Sequence, residues 1–316
     1  MEPSAPDQNA DPPRKGRGKA LFLLLGLLFL MAPGMLWWAL PRVQGLWQGL
    51  SRYGELQWKR QDDWVDVTLE QAKRRSWPAG TAFLEPDWQP LLPGLELAEL
   101  WLRRPPNVLA FRLLLVRADP ASWRPSVAFE ENFTGNTVSA LAAAGAFPVA
   151  INASYFSGDG PVGLLMHKGV RWRPASKRWA AHFFVSPEGI PRVTNKKNAD
   201  VTGVWDGIQG FPAIMSGGTT YPYLRYGGRG FDVGVVDRRS ALCIHRKGGL
   251  LLLATDTLTN GLALAELATV LGGLGCVDAM GLDGGTSTGL FVHTSTRMES
   301  VPNLKPVPVI IGLRPD

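Results

Sequence analysis

The alternation of apolar and polar residues divides the chain into segments of different character. Residues 1–19 are polar and carry Pro3, Pro6, Pro12 and Pro13, so they read as a disordered tail. Ala20 to Leu40 then runs without a charge. Such a run is long enough to span a hydrocarbon core of roughly 30 Å. Arg14-Lys15-Gly16-Arg17-Gly18-Lys19 precedes it, which predicts a transmembrane anchor with a cytoplasmic N-terminus. Trp37 and Trp38 stand near the far end, as interfacial aromatics do. A cleaved signal peptide would have a shorter apolar region ending in a small-x-small site, so the pattern favours an uncleaved anchor. Residues 41–94 are rich in Trp (Trp47, Trp58, Trp64, Trp77, Trp88) and in charge. They predict a helical neck, lying on the membrane surface or packed against the domain that follows.

The main domain, residues 95–316, begins where the period changes. Leu95–Arg103 and Val108–Arg117 read as paired strands around a Pro105-Pro106 turn. Thr137–Ala144 reads as a short helix ended by Gly145, and Pro148–Ile151 as a buried strand. Leu242–Ile244 and Leu250–Ala254 flank Lys247-Gly248-Gly249 as a hairpin does. Leu264, Leu267, Ala268 and Leu271 are spaced for a helix over Leu262–Leu271, and Cys276–Leu282 is a further strand. Interleaved strands and helices predict an α/β (α+β) fold, a mixed β-sheet with packed helices.

Composition narrows the classes. Among 316 residues, 45% are hydrophobic and 19% charged, enough for a sizeable core. The net charge of +6 is scattered outside the segment before the anchor, which argues against a nucleic-acid partner. Cys243 and Cys276 are too few for a disulfide framework or a zinc site. Both lie in apolar runs and are expected to be free and buried, with a single disulfide as the alternative that an oxidising compartment permits. His167, His182, His245 and His293 show no metal-ligand spacing.

Four polar clusters interrupt the apolar strands. Asn152-Ala153-Ser154-Tyr155-Phe156 ends one, where open sheets present ligand-binding groups, and aromatics beside hydrogen-bonding groups suit sugars. An Asn-capped turn would explain it equally well. Asn132-Phe133-Thr134 and Asn152-Ala153-Ser154 also fit the glycosylation sequon. Asp237-Arg238-Arg239-Ser240-Ala241 brings Arg239 into a buried strand, which is costly without an anion, whether a ligand or a structural carboxylate. Asp256 ends the Leu250–Ala254 run. Asp283-Gly284-Gly285-Thr286-Ser287 is either a turn or a run of backbone donors facing an anion.

In that order, Asn152 to Phe156, Arg239-Ser240-Ala241, Asp256, Gly261 to Ala268, and Leu282 to Ser287, the clusters resemble the phosphodiester glycosidase family. The likeness spans roughly Leu95 to Leu313. Thr286 stands where the family usually has a third glycine, and Cys243 where it has a glycine after Arg-Ser/Thr-Ala. The resemblance implies a hydrolase of sugar 1-phosphodiesters, with a sugar-phosphate or glycan substrate, in envelope or exopolysaccharide metabolism. It implies Arg239 and the Gly284-Gly285 backbone on the phosphate, Asn152 and Tyr155 on the sugar, Thr286 and Ser287 beside them, and Asp283 or Asp256 as base or nucleophile. No cofactor is required. A metal-assisted phosphodiesterase using Asp256, Asp278 and Asp283 with Ca²⁺ or Mg²⁺ is a rival, as is a non-catalytic glycan binder. With the anchor, the domain is expected in the periplasm or outside the cell.

Overall fold

A computed structural model describes residues 56–67, 84–105, 107–226 and 233–316. The tail, the Ala20–Leu40 run, Trp47 and Trp77 lie outside them. Among the described residues no helix is long and apolar enough to cross a membrane.

Three sheets share the core. The ten-stranded sheet runs in the order Thr219–Thr220, Ala213–Ser216, Cys276–Gly281, Ser240–His245, Leu250–Asp256, Asn107–Ala118, Leu95–Arg104, Gln57–Arg60, Asp63–Asp66, with Gln89–Leu92 also on Leu95–Arg104. A five-stranded middle sheet orders Val170–Arg173, Leu165–His167, Asp206–Gly210, Ala181–Val185, Pro191–Asn195. A five-stranded C-terminal sheet orders Met298–Val301, Leu290–His293, Val149–Asn152, Val309–Pro315, Trp123–Phe129.

Side chains alternate across the large sheet, as strand geometry requires. Leu114, Val116, Leu252 and Ala254 face a core shared with Phe183 and Ile208 of the middle sheet and Ile151 and Ile311 of the C-terminal sheet. Leu113, Leu115, Leu251 and Leu253 face Leu267 and Leu271 of the Leu264–Gly273 helix. Burial on both faces is why Phe111 to Val116 and Leu250 to Ala254 are apolar apart from Arg112, without the usual alternation.

The expected mixed sheet is instead antiparallel at every described pairing between named strands. The fold is mainly β with few helices. The expectation came from helices interleaved with strands, and both helices exist. The Val138–Ala144 helix, capped by Thr137 and Gly145, links Trp123–Phe129 to Val149–Asn152. The Leu264–Gly273 helix links Leu250–Asp256 to Cys276–Gly281. In each case a third strand, Val309–Pro315 or Ser240–His245, sits between the two and pairs antiparallel with both.

The described part of the Trp-rich segment is strand, not helix. Gln57–Arg60 pairs with Asp63–Asp66 and with Leu95–Arg104, so the sheet begins before Leu95. Its period is two: Trp58 is buried in the helix-side core while Lys59 is exposed. Arg103 lies 4.2 Å over Trp64, and Arg117 lies 4.4 Å over Trp88.

The cysteines are joined, which corrects the expectation of free thiols. Cys243 and Cys276 lie on adjacent strands with Cα atoms 5.8 Å apart and form a disulfide. Apolar flanks conceal this, because a buried disulfide and a buried thiol occupy the same kind of sequence.

Candidate active site

Asn152 joins two sheets. It ends the Val149–Asn152 strand and has no exposed surface. Its Oδ1 accepts from Ser240 Oγ at 2.6 Å and from the Gly289 N–H at 3.0 Å. Its Nδ2 donates to the Asp283 carbonyl at 2.7 Å. The Asp283 N–H in turn donates to the Ala153 carbonyl at 3.0 Å. The amide therefore fixes where Asp283 stands and does not itself reach a sugar.

Asp283 follows the Cys276–Gly281 strand. Burial raises its carboxyl pKa to about 6, and the Asp237 charge adds to this. Hydrogen bonds from Ser287 and the Gly284 N–H, with the charge of Lys305, oppose the rise. Ser287 is buried and acts by holding this carboxylate. The glycines serve close approach. A Cβ on Gly284 would lie 2.8 Å from the Arg238 carbonyl. Gly285, at φ +60°, would place one 3.3 Å from Asp237 Oδ2, and its N–H is already bonded to the Arg238 carbonyl at 2.9 Å. Both N–H groups are engaged within the protein and do not form an open anion cradle. Thr286 is exposed, and its carbonyl accepts from the Leu304 and Lys305 N–H groups at 2.7 and 3.0 Å.

Arg239 is held by carbonyls. Its Nε donates to Leu262 at 2.8 Å and its Nη2 to Val235 at 2.5 Å. Burial lowers its pKa against the pull of Asp237, Tyr155 and Glu266. Among the described residues no carboxylate forms a salt bridge with it, so its positive charge is left for an anion. Behind it, buried Arg104 pairs with Glu266 and donates to the Gly261 carbonyl at 2.8 Å, fixing the loop that carries Leu262. Tyr155 lies beside Trp179, with ring centroids 5.3 Å apart and the rings tilted by 54°. Burial and the Asp283 charge raise its pKa, so the hydroxyl stays protonated at neutral pH.

Asp256 is held by Arg112, and its charge also acts on Arg238. Its Oδ2 accepts from Arg112 Nη2 at 2.7 Å and Nε at 3.0 Å, and Arg112 also binds Glu99 and Glu299. Burial opposes the charge on Arg112, but Asp256 and Glu99 outweigh it and raise its pKa. Asp278 accepts from the Gly217 N–H at 2.9 Å. Asp256, Asp278 and Asp283 thus go to separate places, and the described residues contain no cluster of three or more metal-ligating side chains.

Two residues of the site escaped sequence reasoning. Asp237 lies against Gly285 and within the field of Asp283, Arg239 and Tyr155. It precedes the buried strand, so no apolar run marked it as costly; its place two residues before Arg239 was the only signal. Lys305 lies between Pro302 and Pro306, on a loop that gives no periodic signal. Its Nζ sits 4.8 Å over the Phe156 ring. The structure gathers Tyr155, Asp237, Arg239, Asp283 and Lys305 from four chain segments around one turn.

Solved structures share this fold. The catalytic domain of zebrafish N-acetylglucosamine-1-phosphodiester alpha-N-acetylglucosaminidase, auto-inhibited by its pro-peptide, superimposes with a TM-score of 0.59 at 16% identity. The match covers 72% of this chain and 85% of that one. A hypothetical protein from Synechocystis matches with a TM-score of 0.53 at 15% identity, covering 73% of this chain and 64% of its own. No curated protein matches the chain. The sequence model of the phosphodiester glycosidase family matches residues 146–314, which contain every residue of the site just described. More than half of the chain lies in that match, and the chain therefore belongs to the phosphodiester glycosidase family, hydrolases that act on phosphodiester-linked sugars.

Proposed function

We propose that the chain cleaves the C–O bond between the anomeric carbon of a sugar and its phosphodiester, with Asp283 as the base. One observation carries this reading: Asp283 lacks a salt bridge among the described residues and is half-buried between a second carboxylate, Asp237, and the Lys305 charge, with Arg239 on the far side of Tyr155 and Asp237. A carboxyl pKa near 6 suits a base that is ionised at neutral pH yet accepts a proton readily. Asp283 takes a proton from water as the water oxygen bonds to the anomeric carbon. The bond to phosphate breaks, and the electron pair leaves with a phosphate monoester. That leaving group needs little protonation, since its second pKa is about 6. Arg239 and Lys305 stabilise the charge it gains. The protonated Tyr155 hydroxyl donates to the sugar, and Asp237 keeps the Asp283 pKa high. A glycosidase acting on ordinary glycosides needs an acid for its leaving group. Here the leaving group removes that need.

The placement of the domain belongs to the same proposal. The uncharged Ala20–Leu40 run supports a membrane anchor, and the Cys243–Cys276 disulfide supports an oxidising compartment outside the cytoplasm. A role on envelope glycans or exopolysaccharide follows from that placement. A reporter fused after Asp316 is expected to be active only outside the cytoplasm. An active cytoplasmic reporter overturns the topology.

Hydrolysis of an N-acetylglucosamine 1-phosphodiester in oxygen-18 water tests the chemistry. The label is expected in the sugar. Label in the phosphate means P–O cleavage and sinks the mechanism.

A further inference from the structure

A cleft of about 460 Å³ lies between the middle and C-terminal sheets, lined in part by Arg124, Ser126, Lys168, Trp205, Asp206 and Arg314. None of these belongs to the active site. Its volume falls in the range of small-ligand sites.

Its floor is built around one carboxylate. Asp206 is 1% exposed. Its Oδ2 accepts from Ser126 Oγ at 2.6 Å and the Val127 N–H at 3.2 Å. Its Oδ1 bonds with His167 Nδ1 at 2.9 Å and accepts from the Lys168 N–H at 3.0 Å. Burial works against this charge, but His167, Ser126 and the Lys168 N–H outweigh it and hold the pKa below the usual value. Asp206 thus ties the two sheets together and is satisfied within the protein.

The walls are not satisfied in that way. Ser126 Oγ accepts from Arg314 Nη2 at 2.6 Å, and the guanidinium lies 5.4 Å over the Phe147 ring at the edge of the cleft. Arg314 and Lys168 form no salt bridge among the described residues, whereas Arg124 is paired with Asp316. Trp205 remains 44% exposed although its backbone is fixed at both ends, its N–H to Val185 and its carbonyl to Gly169. A large apolar ring held open to solvent beside two cations that have no carboxylate in salt-bridge contact among the described residues matches a ligand with an apolar face and an anionic edge.

We infer that this cleft is a second carbohydrate site, which takes a sugar ring bearing a carboxylate or phosphate, with the ring on Trp205 and the anion on Arg314 and Lys168. Its position adds to the proposed function, on which only this extension rests. Asp206 begins the Asp206–Gly210 strand, and a Cβ on Gly210 at the other end would lie 3.0 Å from the Gly281 carbonyl, two residues before Asp283. The cleft and the active site therefore stand toward opposite ends of one strand, roughly 13 Å apart along it at about 3.3 Å per residue. A glycan with repeated negative charges meets both sites, whereas a single sugar phosphate occupies one at a time.

Calorimetric titration of the full chain with a tetrameric oligouronate tests the inference, using Trp205→Ala, Trp205→Phe and Arg314→Gln beside the unaltered protein. Saturable binding is expected, weakened about tenfold or more by Trp205→Ala and by Arg314→Gln, and retained by Trp205→Phe. Turnover of a small soluble sugar phosphodiester should stay within about twofold in all three, since they are remote from Asp283 and additivity holds for distant sites. Absence of saturable binding, or equal affinity in all four proteins, overturns the second site. Binding lost with Lys305→Gln but kept with Trp205→Ala places the ligand in the active site and overturns it as well. If the oligouronate binds as expected while no sugar phosphodiester is hydrolysed, the cleft stands and the proposed reaction falls.

Discussion

Asp256 and Asp283 occupy matching places in the sequence and opposite places in the chemistry. Each lies at the end of a buried strand of the large sheet. Asp256 faces Arg112 across the strand pair and takes two hydrogen bonds from its guanidinium. Glu99, Glu299 and Arg297 complete that network. Among the described residues Asp283 forms no salt bridge with an arginine. It has a serine, a backbone N–H, a lysine charge and a second carboxylate instead. Cross-strand pairing gives one aspartate a guanidinium, whereas burial leaves the other with a raised pKa.

The largest break comes from Asp283→Asn. Turnover should fall at least ~100-fold, as removal of a general base commonly does. The fold should survive, because Asn can keep the Ser287 and Gly284 contacts. Stability gives a second readout. The folded-state pKa of about 6 lies above the ordinary value of 3.8, so the folded chain binds the proton more tightly between those pH values. Stability therefore falls as pH rises through that window, and above it the cost is at most about 3 kcal/mol. Asn does not titrate, so the variant should match the parent below pH ~4 and exceed it at pH ~7. Urea melts at the two pH values check this. A variant that unfolds at neutral pH would make Asp283 structural.

Asp237→Asn should have the next effect. Because Asp237 contributes to the rise of the Asp283 pKa, its loss should move the acidic limb of kcat/KM, expected near pH 6, to lower pH. A lowered rate with an unmoved limb would show that the two carboxylates are not coupled. Arg239→Lys should also lose turnover, because an ammonium cannot keep the bonds to Leu262 and Val235 while facing an anion. Unchanged single-turnover kinetics would remove Arg239 from the site.

Sequence made the strands legible and left their partners obscure. Leu264, Leu267, Ala268 and Leu271 mark a helix because one helical face repeats locally. The antiparallel pairing does not: Val309–Pro315 comes from a distant part of the chain, and the hairpin that holds Ser240–His245 does not reveal that Cys276–Gly281 pairs on its other side. The same limit applies in the site. Arg239 and Asp283 stand out because a charge beside an apolar run has a known cost. Asp237 and Lys305 sit in polar surroundings, and only tertiary structure brings them to the turn. Asn152 is visible for the right reason, a polar group ending a buried strand, but its partners are protein groups. Asn152→Ala would strand Ser240 Oγ and the Gly289 N–H, and should lower stability by roughly 2–4 kcal/mol, as loss of a buried network does.

The disulfide offers a comparison independent of charge. Cys243 and Cys276 are separated by 33 positions, and closing such a loop stabilises by about 3–4 kcal/mol in the chain-entropy model. Denaturant melts with and without reductant should differ by that order. Equal melts would mean that the bond constrains nothing the folded sheet does not already fix.

The smallest effect is expected at Asp256, and it is the sharpest control. Arg112 keeps Glu99 and Glu299 when Asp256 loses its charge, and Arg238, whose charge Asp256 also supports, keeps Asp237. The Asp256 side chain is 32% exposed, and water screens much of what the pair contributes. Asp256→Asn also preserves an oxygen that can accept from the same guanidinium. Stability should therefore change by less than about 1 kcal/mol. Turnover should stay within about threefold, because Asp256 bonds to Arg112 and not to the groups that hold Asp283. A loss approaching that of Asp283→Asn would mean that the Arg112 network closes onto substrate during the reaction. The division between a paired aspartate and an unpaired one would then not hold once substrate binds.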